Sequence, residues 1–318
     1  MPLSFKPIAL ESRSEILGFL QNDHFSIADI SFGNLYIWKH AREISYAICG
    51  GSLLIQTRQT HKEGQTPYFF FPIAGDESSK LEALSALESY AQANGYPLHF
   101  ERVEAHNLPL LKLAFPTISI EPTPDHFDYV YSVEELLHLS GRKFHKKKNH
   151  LNNFLQRYEW ELEPITQANA KELAKVARIW LDSNPAKSDD LELEYLGICA
   201  ALESFGELGL QGIAVRAREK IALGSNSIDS ALLESHALPI IAFSFGEAIN
   251  DEMAVIHIEK AAPNIIGAYQ IINQQLLARC FSSLRYANRE EDLGIAGLRQ
   301  AKRGYNPVFM VEKFRAIL

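Results

Sequence analysis

One order of elements occurs twice along this chain: three apolar strands, a helix and a further strand. In the first half Ile44–Cys49, Leu53–Thr57 and Tyr68–Pro72 read as strands, a helix runs from Glu77 to Ala93 and stops at Asn94-Gly95, and Pro97–Val103 follows. In the second half Leu210–Arg216, Pro239–Phe245 and Met253–Glu259 are the strands, the helix spans Gly267–Phe281, and Leu284–Asn288 comes after it. A strand run with its own covering helix can close a core, and 318 residues are long for one compact domain. The expectation is an α/β (α+β) protein with two tandem units, residues 1–150 and 151–318, each a mixed central sheet flanked by helices. The halves share no evident residue identity, so the duplication is one of pattern.

The remaining segments are mostly helical. Residues 11–20 and 31–41 read as helices, the second carrying Tyr36 and Trp38 for core packing, and further helices fall near 133–139, 142–158, 169–183 and 190–205. Trp160–Pro164 is a strand that could open the second unit, and Ser225–Ser235 a long polar hairpin loop. The longest apolar runs, such as Pro239–Phe243, are far below the roughly 18 residues of a membrane span. Met1–Lys6 lacks the basic start and apolar core of a secretory signal, so the expected location is cytoplasmic.

Several chemistries are disfavoured. Cys49, Cys199 and Cys280 are scattered and odd in number, which argues against disulfides and a cysteine zinc site. Eleven histidines include no HExxH and no close cluster with carboxylates, so no metal is expected. GxSxG, GxxxxGK[ST] and GxGxxG are all lacking. A formal charge of −8 opposes general nucleic-acid coating but permits one local basic patch. His257 shares a strand face with Val255 and Glu259, where it is either a satisfied buried histidine or a general base.

Two segments concentrate charge. Gly141-Arg142-Lys143-Phe144-His145-Lys146-Lys147-Lys148-Asn149 opens a helix whose core arc holds Phe144, Leu151, Phe154, Leu155 and Tyr158. Lys147 falls inside that arc and Lys148 at its edge, so both either snorkel or, with Asn149, bind an anion; a cleft or unit junction is their expected position. The second segment, Asn288-Arg289-Glu290-Glu291-Asp292-Leu293-Gly294 followed by Gly297-Leu298-Arg299, Lys302, Tyr305 and Pro307, leaves the carboxyl end of a core strand, where α/β sheets hold ligands. Arg289, Glu290, Asp292 and Arg299 are expected to form one hydrogen-bonded cluster facing the cleft between the units.

Over nearly the whole chain, these two segments resemble the C-terminal catalytic domain of phosphatidylglycerol lysyltransferase and its stand-alone bacterial relatives. Lys147-Lys148-Asn149 stands where that resemblance calls for Lys-Arg-Asn, and so lacks one planar guanidinium fork. The family is similar to tandem GNAT-like folds such as the Fem aminoacyl transferases. That implies transfer of an aminoacyl group from charged tRNA to an anionic lipid headgroup, a peptide or a small amine. The lysyltransferase carries an integral-membrane portion ahead of this domain that this sequence lacks, so the expected acceptors extend beyond a lipid. Where acetyl-CoA transferases carry a glycine-rich pyrophosphate loop, this chain has Lys260-Ala261-Ala262-Pro263-Asn264-Ile265-Ile266-Gly267, so acetyl-CoA is disfavoured and no cofactor is expected.

In the reaction so implied, Arg289 or Arg299 would stabilise an oxyanion, and Glu290, Asp292 or His257 would receive a proton. Lys147, Lys148, Asn149, Asn288, Arg299, Lys302 and Tyr269 would bind substrate. The contrasting readings are a binding module whose basic helix docks on anionic membrane or RNA, and an acetyl-CoA N-acyltransferase.

Overall fold

A computed structural model describes residues 3–59, 66–185, 188–220 and 238–318. The loop expected at Ser225–Ser235 lies outside them. In the first half β1 (Lys6–Pro7), α1 (Arg13–Leu20) and α2 (Phe32–Ile37) precede β2 (Arg42–Cys49), β3 (Ser52–Gln59), β4 (Tyr68–Phe69), α3 (Glu77–Ala93) and β5 (His99–Glu104). Next come α4 (Leu108–Ala114), β6 (Ser119–Pro122), β7 (Asp128–Ser132), α5 (Val133–His138) and α6 (His145–Arg157). The second half contains β8 (Tyr158–Pro164), α7 (Ala170–Asp182), α8 (Asp189–Glu203), β9 (Gln211–Glu219), β10 (Ile240–Ala248), β11 (Met253–Ala261), α9 (Ala268–Cys280) and β12 (Tyr286–Asn288). It closes with α10 (Ala296–Arg303), β13 (Phe309–Val311) and β14 (Lys313–Ile317).

These strands form two seven-stranded mixed sheets of one topology. The first runs β1-β2-β3-β4-β5-β14-β6 and the second β8-β9-β10-β11-β12-β7-β13. In each, the only parallel pair among the described residues joins the strands on either side of the helix, β4 with β5 and β11 with β12. The expected equivalence of Tyr68–Pro72 with Met253–Glu259 therefore holds in sheet position, although only Tyr68–Phe69 of the former is strand.

The sixth place of each sheet is exchanged. β14, the last strand of the chain, enters the first sheet between β5 and β6, while β7 from the first half enters the second between β12 and β13. A cut near residue 150 thus separates the sequence repeats but not the two sheets. Short strands such as β13 and β14 carry little local hydrophobic signal, so pairing partners far along the chain decide their place.

Three apolar clusters fill the structure. One lies under α3 in the first sheet and one under α6 and α9 in the second. The third joins the halves, packing Phe32, Leu35 and Tyr36 of α2 with Ile198, Phe205 and Phe245. Tyr36 and Trp38 belong to this packing, as expected. Gly197 permits α8 to meet α2 closely, because a Cβ there would lie 2.7 Å from the Ile37 carbonyl oxygen. No helix among the described residues is long and apolar enough to cross a membrane.

Candidate functional site

Pairing between β11 and β12 ends at Val255 and Asn288, and charged side chains span the space beyond it. The turn after β12 has Glu290 in the left-handed region, at φ 58°, which sends successive side chains in different directions. The expected single cluster is therefore replaced by four separate arrangements, one for each of Arg289, Glu290, Glu291 and Asp292.

Glu290 meets His257. The imidazole is sandwiched, its Nδ1 3.0 Å from Glu290 Oε1 and its Nε2 3.0 Å from Glu247 Oε1. Glu247 is placed by a bulge at Phe245/Gly246, where a Cβ on Gly246 would lie 2.0 Å from the Val255 carbonyl oxygen. The first half contributes too: the Gly33 amide donates to Glu247 at 2.8 Å and Asn34 Nδ2 to Glu290 at 3.2 Å. Burial opposes the charged imidazole, but hydrogen bonds to the two carboxylates overcome it and push His257 up to about 9. His257 is thus an imidazolium with both nitrogens engaged, which makes it a clamp between α2 and the second sheet and unsuits it for the role of general base.

Because the folded pKa lies above the ordinary 6.5, the clamp's stabilisation is complete below that value and fades as pH rises through about 9. Melting temperature should fall between pH 7 and 10 in the parent protein and fall less in His257→Gln. Parallel curves would show that the clamp carries no charge.

Arg289 turns the other way. Its Nη2 donates to Glu259 at 2.8 Å, and its guanidinium carbon lies 5.4 Å from the Tyr131 ring centre and 4.7 Å from that of Tyr305. Asn273 holds the second oxygen of Glu259 at 2.9 Å. Nη1 of Arg289 is buried and has no hydrogen-bond partner among the described residues. Burial opposes its charge, but Glu259 raises its pKa.

Two lysines join it. The Lys147 ammonium sits 4.0 Å from the Tyr305 ring centre, and burial followed by the Arg289 charge lowers its pKa. Lys302 donates to the carbonyl oxygens of Arg289 and Glu290 and is drawn down to about 8 by burial and then by Arg289. Arg289 and Lys147 thus lie over one aromatic pair, with Lys302 against the Arg289 carbonyl and Glu259 as the bound counter-charge, an arrangement with the charge to receive an anion or a developing oxyanion.

The other expected residues lie elsewhere. Asp292 is buried in a two-pronged pair with Arg299, at 2.7 and 2.8 Å, and accepts from Tyr129 at 2.6 Å; the Arg299 hydrogen bonds above all hold it far below the usual carboxylate range. Arg299 also reaches Asp125 at 2.6 Å, so this group braces the loop. Asn288 is buried and donates to the Ser26 carbonyl at 2.8 Å and to Asp128 at 3.0 Å. Lys148, Asn149 and Tyr269 are exposed, which corrects the expectation that Lys148 lines a cleft: only Lys147 of the pair turns inward.

Glu291 enters a charged group that no sequence motif announced. Lys313 of β14 is fully buried and contacts Asp29, Asp128 at 2.6 Å and Glu291 at 3.6 Å, while Arg102 pairs with Asp29 at 3.0 Å. The three carboxylates lie within 4.8 Å of one another, a spacing that could suit a metal ion, yet the Lys313 ammonium contacts all three. Burial pushes Asp128 up to about 6; Asp29, in spite of burial, is held low by Lys313 and Arg102. Asp128 opens β7 and Lys313 opens β14, so this group ties the two exchanged strands together. A charged residue inside an apolar strand, as at Glu247, is the one signal that could have revealed such a partner; Arg102 and Lys313 lie in strands that carry other charges and gave none.

Two sheets of one topology with charge gathered at the parallel strand ends define the tandem GNAT-like fold. FemX shares it at 11% identity, with a TM-score of 0.63 and 99% of this chain and 97% of that one covered. Residues 24–317 match the family described as phosphatidylglycerol lysyltransferase, C-terminal, and the chain belongs to that family. A conserved protein of unknown function from Bacteroides thetaiotaomicron is 30% identical, with a TM-score of 0.87 and 99% of each chain covered. L-PGS from Bacillus licheniformis is 16% identical, with a TM-score of 0.62 and 96% of this chain and 91% of that one covered. The chain also matches an uncharacterised protein of Mycoplasmoides gallisepticum, 23% identical over 190 residues, and spans about half (54%) of its length.

Proposed function

We propose that this protein is an acyltransferase that moves an aminoacyl group from charged tRNA to a lipid headgroup, peptide or small amine. The observation that carries the reading is Arg289, held between Tyr131 and Tyr305 with one guanidinium nitrogen buried and unpartnered, beside Lys147 and Lys302. An acceptor hydroxyl or amine attacks the ester carbonyl; the new bond forms at carbon, the bond to the tRNA ribose oxygen then breaks, and the proton given up by the acceptor passes to that oxygen, which leaves as the tRNA hydroxyl. Arg289 Nη1 is the donor available to the oxyanion formed in between. Lys302, drawn down to about 8, is part neutral in mildly alkaline solution and is the group of this site best matched to taking the acceptor's proton. Asp292 and His257, each bound on both sides, serve as supports.

An acetyl donor is disfavoured by the turn between β11 and α9. Pro263 offers no amide, and the amides of Ala262, Ile265 and Ala268 are already bonded to the carbonyls of Ile241, Ala262 and Ile265. Mass spectrometry of lipids, peptides and small amines from cells with and without the gene should reveal an aminoacylated species that disappears, and purified protein should form it from charged tRNA. If no acyl-modified species differs, the reading fails. Lys147→Ala should weaken tRNA binding and lower the log–log salt slope by about 1 if the ammonium meets a phosphate, as read by filter binding.

A further inference from the structure

The first sheet holds a cleft at the place that in the second sheet carries Arg289. It lies beyond the carboxyl ends of the parallel pair, β4 and β5, and encloses about 310 Å³, its open mouth included, which is small for a ligand site. Its walls are buried apolar side chains, among them Phe25, Ile27, Ile30, Phe70 and Ile73. Glu104 and the half-buried Asn107 line it as well, with Asp23 and Arg102.

Glu104, the last residue of β5, is only 6% exposed, and no cation pairs with it among the described residues. Its Oε1 accepts from the Ser26 amide at 3.0 Å, while Oε2 makes no hydrogen bond among the described residues. The cations around it are committed to other acids: Arg102 to Asp29 at 3.0 Å, Lys80 to Asp23 at 3.1 Å, and Lys313 to Asp29, Asp128 and Glu291. Burial above all pushes Glu104 up to about 7, against the Ser26 hydrogen bond and the Lys313 charge. A carboxyl group so placed lacks a counter-charge, which an occupant of the cleft can supply.

The same surroundings are hostile to an anion. The turn into α3 is already served by acids of this chain, Asp23 accepting from the Ala74 amide at 2.5 Å and Asp76 from the Ser79 amide at 2.8 Å. An ammonium group beside Glu104 instead gains the charge of Asp23 and the side-chain oxygen of Asn107, which makes no hydrogen bond among the described residues. The apolar walls suit a short carbon body behind it.

We infer that this cleft binds a small primary amine, with its ammonium on Glu104 Oε2 and its aliphatic or phenyl body against Phe25, Ile27, Ile30 and Phe70. The site is separate from the one around Arg289 and stands whether or not that one transfers an acyl group. The two share a wall, because Ser26 holds Glu104 through its amide and accepts from Asn288 through its carbonyl at 2.8 Å.

Isothermal titration of the full chain with isoamylamine and phenethylamine tests it, with isoamyl alcohol and isovalerate as probes of similar body that lack the positive charge. At least one amine should bind saturably and about tenfold or more tightly than the alcohol, and isovalerate should not bind. Glu104→Gln keeps an acceptor for the Ser26 amide and removes the charge; it should weaken amine binding about tenfold or more. Should that variant fold poorly by circular dichroism, Asn107→Trp at the mouth of the cleft should block entry and abolish binding. Amide resonances of Ser26 and Ala74 should shift as the amine is added. Absence of saturable amine binding, equal binding of the alcohol, unmoved Ser26 and Ala74 resonances, or binding unchanged in a well-folded Glu104→Gln or Asn107→Trp protein would each overturn the inference.

Discussion

Lys313→Met is expected to destabilise the protein by about 3–5 kcal/mol, the cost of leaving buried carboxylates without their counter-charge. The ammonium is fully buried and shared by Asp29, Asp128 and Glu291, and Arg102 alone cannot compensate all three. The loss should appear in both sheets, since Asp128 and Lys313 begin the strands that the sheets exchange. Hydrogen exchange should report faster opening of β7 and β14 together, beside a lower melting temperature. A companion Asp128→Asn, Lys313→Met double variant should recover part of the loss, because it removes a charge from each side. If Lys313→Met melts like the parent, the group does not hold the exchange.

Arg289 is the position where stability and chemistry separate. Arg289→Lys keeps a cation near Glu259 and should melt close to the parent, yet it lacks the planar fork that reaches Glu259 with Nη2 and offers Nη1 elsewhere. Turnover should fall by about 10²–10³ with little change in KM for tRNA, the loss typical of one missing oxyanion donor. Arg289→Ala should in addition lose about 1.5–3 kcal/mol, as Glu259 would lose its ion-pair partner and retain the Asn273 hydrogen bond and the charge of Lys147. Full turnover in a well-folded Arg289→Lys protein would remove Arg289 from the reaction and with it the proposed mechanism.

The repeated strand order and the helices were legible because each rests on local periodicity. Glu77–Ala93 stops at Asn94-Gly95, and His145–Arg157 shows its buried stripe through Leu151 and Phe154. The concentration of charge at residues 289–292 could be read as well, since four charges in a row at the end of an apolar strand are conspicuous in any chain. Their arrangement could not. Sequence proximity favoured one cluster of Arg289, Glu290, Asp292 and Arg299; the Asp292–Arg299 pair forms, but the left-handed turn at Glu290 sends Arg289 to Glu259 and Glu290 to His257.

The amino-acid sequence alone thus determined the local elements, their duplication and the segment that bears the charge, because periodicity, capping and composition act over a few residues. Tertiary structure decided the rest. The exchange of β7 and β14, the His257 clamp with Glu247 and Asn34, and the Lys313 group join residues up to 284 positions apart. A lone charge in a short strand carries no record of its partner. Only when folding excludes water does an unpaired buried charge become costly enough to select which carboxylate each cation must meet.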